Sequence, residues 1–273
     1  MMKTSFSTLA CPDWDLTQIL QAAETYGYDG VELRVISREL DLWNLPDFKP
    51  SALAGTRNVI QDRGLVVASI GSSACFHSSD VRERQRNFDS ALRMAEIAAG
   101  LGAPSIRVFG DRIQPGNSRQ EAAAWIADSL TRLAEKLKSS GVEVWLETHG
   151  DFATIANVNE VLALLDDAPV GIIWDPANAF EQHGEAPLIS PRMASRIRHV
   201  HLKDMKRDAQ GSFHYVATGE GEFPFQTMFA SLAEIGFDGF VSFEWEKLWH
   251  PELAGPETAL PRFIEWWKNR EVS

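Results

Sequence analysis

The sequence predicts an α/β protein built as a single (β/α)8 TIM barrel over residues 1–273. Short apolar runs alternate with longer amphipathic segments eight times along the chain. The runs recur roughly every 30 residues, the size of one strand–helix unit. The joints from helix to strand repeat a glycine, which supplies the left-handed residue that ends a helix. Two of them, Tyr26-Gly27-Tyr28-Asp29-Gly30 and Ile235-Gly236-Phe237-Asp238-Gly239, are nearly one string.

Residues 3–9 read as the first strand. A helix follows over 16–26, with Asp15 placed to cap it and Gly27 just past its end. The second strand is GVELR at 30–34, and the next helix, 51–63, stops at Gly64. LVVASIG at 65–71 is a buried third strand. The long helix 81–101 ends at Gly102, before SIRVF at 105–109. Helix 118–140 is closed by Gly141 and leads to VEVWLE at 142–147. Helix 157–165 precedes VGIIW at 170–174. A short helical piece near 186–194 leads to IRHVHL at 197–202. Helix 225–235 ends at Gly236, and FVSFE at 240–244 is the eighth strand. The closing helix, 256–269, places Phe263, Trp266 and Trp267 at helical spacing. No Pro/Gly/Ser-rich linker divides the chain. An open doubly wound sheet is the alternative, but no G-x-G-x-x-G follows the first strand.

Composition narrows the function. At 273 residues the chain has the length of one α/β barrel. With 44% hydrophobic and 23% charged residues it can build a core and is too apolar for disorder. Its 26 basic against 38 acidic residues give a net charge of −12, which repels phosphate backbones, so no nucleic-acid partner is expected. No stretch of about 18 apolar residues exists, so no membrane span is expected. Cys11 and Cys75 form neither a disulfide framework nor a C-x-x-C site, and the first residues lack an apolar leader. A reducing cytoplasm is the simplest expectation.

In such a barrel the active site lies at the C-terminal ends of the strands. Glu32 stands near the end of the second strand, Arg107 inside the fourth, Glu147 at the end of the fifth. Asp175 follows the sixth, His201 lies near the end of the seventh and Glu244 ends the eighth. Any one carboxylate there is explained by a helix cap or an ion pair. Glu147, Asp175, His201 and Glu244 together point at one small volume. Uncompensated carboxylates there would repel one another, and a divalent cation removes that cost. Mixed oxygen and nitrogen ligation leans towards Mn²⁺; Mg²⁺, Co²⁺ and Zn²⁺ also fit.

Four strings carry a resemblance: Leu146-Glu147-Thr148-His149-Gly150, Trp174-Asp175-Pro176-Ala177-Asn178, His199-Val200-His201-Leu202-Lys203-Asp204 and Phe243-Glu244-Trp245-Glu246. In this order they resemble the sugar phosphate isomerase/epimerase superfamily, the xylose-isomerase-like TIM barrels. The resemblance extends to Asp29-Gly30-Val31-Glu32-Leu33-Arg34 and Ile106-Arg107-Val108-Phe109-Gly110. It implies Glu147, Asp175, His201 and Glu244 as metal ligands. Ketose 3-epimerases of the family carry a His where this chain has Asn178 and a Glu where it has Ala153.

His149, two residues after Glu147, reads equally as an acid/base group over the substrate or as an imidazole orienting Glu147. Lys203 shares the strand face of His201 and reads as a donor to a substrate oxygen, with a salt bridge to Asp204 or a neighbouring carboxylate as the bland alternative. Arg107 needs a carboxylate, Glu32 or Glu147, with substrate contact second. His199 is expected to pack inside the barrel. Glu32, Arg107, Asn178 and Arg207 make up the expected substrate-binding set, with Arg207 in a loop over 204–222. Trp249, His250 and Pro251 are candidates for a subunit contact in a homo-oligomer.

The resulting expectation is a metal-dependent isomerase or epimerase of a small keto-sugar, polyol or related hydroxy-carbonyl compound. Glu147 and Glu244 act as base and acid through a metal-stabilised enediolate, assisted by Lys203 and His149. A dehydratase of the inosose or dehydroshikimate type is the alternative, and a non-catalytic ligand-binding barrel ranks last. No phosphate-binding loop is visible, which favours an unphosphorylated substrate.

Overall fold

The computed structural model describes residues 2–270. Its strands are β1 (Lys3–Ser7), β2 (Gly30–Leu33), β3 (Val66–Cys75), β4 (Ser105–Asp111), β5 (Glu143–Gly150), β6 (Val170–Trp174), β7 (Ile197–Leu202), β8 (Asp204–Arg207), β9 (Phe213–Val216) and β10 (Phe240–Phe243). All but β8 and β9 close a parallel barrel in the order β1-β10-β7-β6-β5-β4-β3-β2. Closure falls at β1, where Lys3 pairs with Phe240 and Ser5 with Gly30. The helices are α1 (Leu16–Tyr26), α2 (Leu53–Asp62), α3 (Val81–Leu101), α4 (Arg119–Leu137), α5 (Ile155–Ala163), α6 (Pro176–His183), α7 (Pro191–Ala194), α8 (Phe225–Glu234) and α9 (Pro256–Asn269). Asp15 and Ser118 close reciprocal capping boxes with Gln18 and Glu121 at the starts of α1 and α4. Such caps contribute about 1 kcal/mol each. No helix among the described residues is long and apolar enough to cross a membrane.

Strand alternation separates two interiors. Val200 and Leu202 of β7 join the apolar layer under the helices. His199 and His201 turn into the barrel and meet Glu32 of β2. The barrel interior is accordingly polar: Ser69 bonds Ser105 at 3.0 Å, and Arg107 bonds Glu147 at 2.9 Å. Trp145 fills the space over Gly171, where a Cβ would stand 2.3 Å from its ring. That contact admits only glycine.

The expected strands are present, with different ends. β3, β4 and β5 run on to Cys75, Asp111 and Gly150, past their apolar runs. The polar exits still pair, Cys75 with Phe109 and Asp111 with Gly150. Helix α6 was not expected; Asp175 caps it from the strand end and Pro176 opens it. The helical piece near 186–194 shrinks to α7. The loop expected over 204–222 contains the antiparallel ribbon β8–β9.

Candidate metal centre and active site

Glu147, Asp175, His201 and Glu244 converge, with donor atoms all within 4.8 Å of one another. All four are buried. The Nδ1 of His201 stands 3.2 Å from Glu244, 3.7 Å from Asp175 and 3.8 Å from Glu147. It makes no hydrogen bond although it is fully buried. The other ring nitrogen, Nε2, lies 3.0 Å from Glu32 Oε2. A proton on Nε2 donated to Glu32 leaves the Nδ1 lone pair facing the three carboxylates. A carboxylate behind a ligating imidazole is the usual support of a metal-bound histidine. The orphaned nitrogen and three oxygens therefore fit a divalent cation.

Charge around the cluster is strongly negative. Burial would raise Glu32, but His201 and His199 hold its carboxyl well below the usual range. Burial works against a charged His201, yet Glu244, Glu32 and Glu147 hold it well above 6.5. Burial pushes Glu244 up to about 7, against the pull of His201 and Lys203. Lys203 is 1% exposed and donates to Asp175 (2.8 Å), Glu244 (2.7 Å) and Glu246 (2.8 Å). Burial alone would neutralise it, but the three carboxylates keep it charged. The salt bridge expected as the alternative is therefore formed, with neighbouring carboxylates and not with Asp204, which accepts from the backbone N–H groups of Gly219 and Gly221.

The model of one family, described as the xylose isomerase-like TIM barrel, matches residues 20–270. The chain belongs to that family. The inosose dehydratase of Klebsiella pneumoniae subsp. pneumoniae is 28% identical over 243 residues, 76% of this chain and 78% of that protein. The 2-oxo-tetronate isomerase of Haemophilus influenzae is 24% identical over 175 residues, 60% of this chain and 62% of that one. The chain spans about half the length of several other curated relatives. Among solved structures, an IolI protein with a zinc atom superposes with a TM-score of 0.80 at 20% identity, covering 97% of this chain and 96% of that one.

Within this xylose isomerase-like barrel the remaining expected residues divide. Arg107 takes Glu147, not Glu32, as its carboxylate. Glu32, expected to touch substrate, lies beneath the cluster at 0% exposure with its oxygens on two imidazoles. His199 is packed there too, against Trp145. Asn178 commits its amide to the Thr148 carbonyl at 3.0 Å. Arg207 stacks on Phe213 and donates to Gly211 within its own ribbon. His149 does not bond Glu147. It is 39% exposed, packs on Phe109, and stands 3.3 Å from Asp111.

Sequence reasoning missed Glu246, the third acceptor of Lys203. The signal was present, since period-two spacing puts it on the face of Glu244. It also missed Asp111, which groups with Cys75 and His77 at the mouth. A cavity of about 510 Å³ opens beside the cluster, lined by Glu181, Tyr215, Trp245, His250 and Arg262; none of the four converging residues lines it.

Proposed function

We propose that the protein is a divalent-metal-dependent enzyme that isomerises or epimerises a small sugar-like hydroxy-carbonyl compound. The observation that carries this reading is the orphaned Nδ1 of His201 among three carboxylates. Glu147, Asp175, His201 and Glu244 would hold the ion, Mn²⁺ before Mg²⁺, Co²⁺ or Zn²⁺ on the donor set. When bound, it supplies Lewis acidity to a carbonyl and its neighbouring hydroxyl, easing loss of the proton on the carbon between them. The residues do the rest. Glu147 and Glu244 exchange that proton on the two sides of the bound compound. Arg107 fixes one oxygen of Glu147, and Lys203 fixes one each of Asp175 and Glu244. His149 stands at the edge, exposed enough to reach a substrate oxygen.

A dehydratase is the second reading. The name of the Klebsiella relative supports it, and so does Asn178, whose amide is committed to backbone where ketose 3-epimerases carry a histidine. One experiment separates the readings. The Mn²⁺-loaded protein is incubated in D₂O with a panel of keto-sugars and polyol ketones. An isomer or epimer with deuterium at one carbon supports the first reading. A conjugated enone absorbance with loss of water supports the second. Metal analysis of Asp175→Asn and Glu244→Gln checks the site, and unchanged occupancy in both would remove it.

A further inference from the structure

At the end of β2, one residue past the strand, stands Arg34. It is 5% exposed. Its Nη2 donates to Ser73 Oγ at 2.7 Å, and its Nη1 is buried with no hydrogen-bond partner. No ion pair among the described residues includes it. Its neighbour is a second guanidinium. A Cβ placed on Gly71 of β3 would stand 2.7 Å from Arg34 Cδ and 2.9 Å from Arg107 Nη2, so both side chains crowd over that glycine. Arg107 is neutralised by Glu147, but its Nε also lacks a partner. Of the two buried guanidinium groups only Arg107 has a carboxylate in contact; Glu147 and Asp41 act on Arg34 from beyond hydrogen-bond reach.

An unpaired buried charge is costly, and like charges side by side add to that cost. Burial and then Arg107 push Arg34 down to about 9, far below an ordinary guanidinium, yet still charged at neutral pH. An anion that accepts from the free Nη1 of Arg34 would remove that cost. A planar fork of this kind recognises a carboxylate or phosphate, not a neutral hydroxyl.

We propose that Arg34, with Arg107 beside it, forms an oxyanion subsite at the barrel mouth, and that the substrate carries a carboxylate or phosphate on the part that reaches the β2–β3 side. This rests on the barrel-mouth reading of the active site and narrows its substrate class. A substrate held there is anchored at one end by Arg34 and at the other by the metal cluster, which fixes which carbon faces Glu147 and Glu244. The phosphate arm departs from the expectation of an unphosphorylated substrate.

The test uses three matched probes: glycerol, glycerate and glycerol phosphate. Binding to the Mn²⁺-loaded protein is measured by calorimetry for the parent, Arg34→Met and Arg34→Gln. Glycerate or glycerol phosphate binds the parent and glycerol does not; which of the two binds tells carboxylate from phosphate. Both variants weaken the bound anion about tenfold or more, the loss of a charge-assisted hydrogen bond. Both keep the parent metal content, so a failure here is distinct from a failure of the metal site. Removing an uncompensated buried charge also raises the melting temperature of the ligand-free protein, most clearly in Arg34→Met. Equal anion binding in parent and variants would mean that the anion sits on the metal, and overturns the subsite. So does binding of glycerol as tight as that of the anions, or a lowered melting temperature with anion binding intact.

Discussion

Lys203 has no proton to spare. Its three N–H groups go to Asp175, Glu244 and Glu246, so its first task is to hold two of the cluster's oxygens in place. Lys203→Met keeps the stem and leaves three carboxylates facing one another. Breaking one side of a buried ion pair costs roughly 3–5 kcal/mol, and chemical denaturation of the metal-free variant should show a loss of that order. A loss below about 1 kcal/mol would mean that these contacts do not hold the site. His149 offers a second residue-level test. Burial lowers its pKa, but Asp111 and then Glu147 raise it above 6.5 overall. A histidine raised in the fold contributes stability that is full below 6.5 and is lost as pH rises through the folded value. Asp111→Asn should therefore move the His149 titration to lower pH in an NMR experiment; an unmoved curve would show that Asp111 is not its partner. The four converging residues were legible in the sequence because each stands at or beside the C-terminal end of an apolar run that reads as a barrel strand. The role of Glu32 was not, because it depends on His199, 167 positions away across the barrel.

The ribbon β8–β9 and the turn after it hang on Asp204. Its carboxylate accepts from Met205 (2.8 Å), Gly219 (2.8 Å), Gly221 (2.9 Å) and Phe223 (3.3 Å). Gly221 has to be glycine, since a Cβ there would stand 2.1 Å from Asp204 Oδ1. The ribbon also delivers Tyr215 to Glu246 at 3.1 Å, joining it to the Lys203 network. Asp204→Ala should leave the barrel folded and speed amide exchange over residues 217–223. Unchanged exchange there, with the far-ultraviolet spectrum of the parent, would show that the turn is held by something else. The eight βα units were legible because helix joints carry glycine and strands are apolar. The ribbon was not legible: its strands are short, Asp204–Arg207 holds three charged residues, and a single side chain anchors the segment. Strand ends were read short for a related reason, since β4 and β5 finish in Gly110-Asp111 and Thr148-His149-Gly150, where hydrophobic periodicity stops but pairing does not.

The whole molecule's stability should fall with rising pH in the metal-free protein and lose that fall when metal is bound. In the metal-free protein Glu244 is raised from 4.5 to about 7, chiefly by burial. An acid raised in the fold binds its proton more tightly there than in the unfolded chain, so stability falls as pH rises between those two values. His201, raised well above 6.5 against its own burial, acts the same way: its contribution is full below 6.5 and is lost as pH climbs through its folded value. Asp175 runs in the other direction. Burial opposes its charge, but Lys203 and then His201 hold it below 3.8, so its contribution is lost only in acid beneath this window. Metal-free protein should therefore lose stability from about pH 5 to pH 7. A divalent cation needs the same groups deprotonated, so its affinity grows over that interval, and at a hundredfold excess over Kd it adds about 2.7 kcal/mol. Denaturation curves with EDTA should slope downward with pH, and curves with saturating Mn²⁺ should be flat or rise. Glu244→Gln carries no titrating proton. It should flatten the EDTA slope and lose most of the Mn²⁺ increment together. An EDTA slope that survives unchanged in Glu244→Gln would assign the pH dependence to other groups and leave the cluster without its expected linkage.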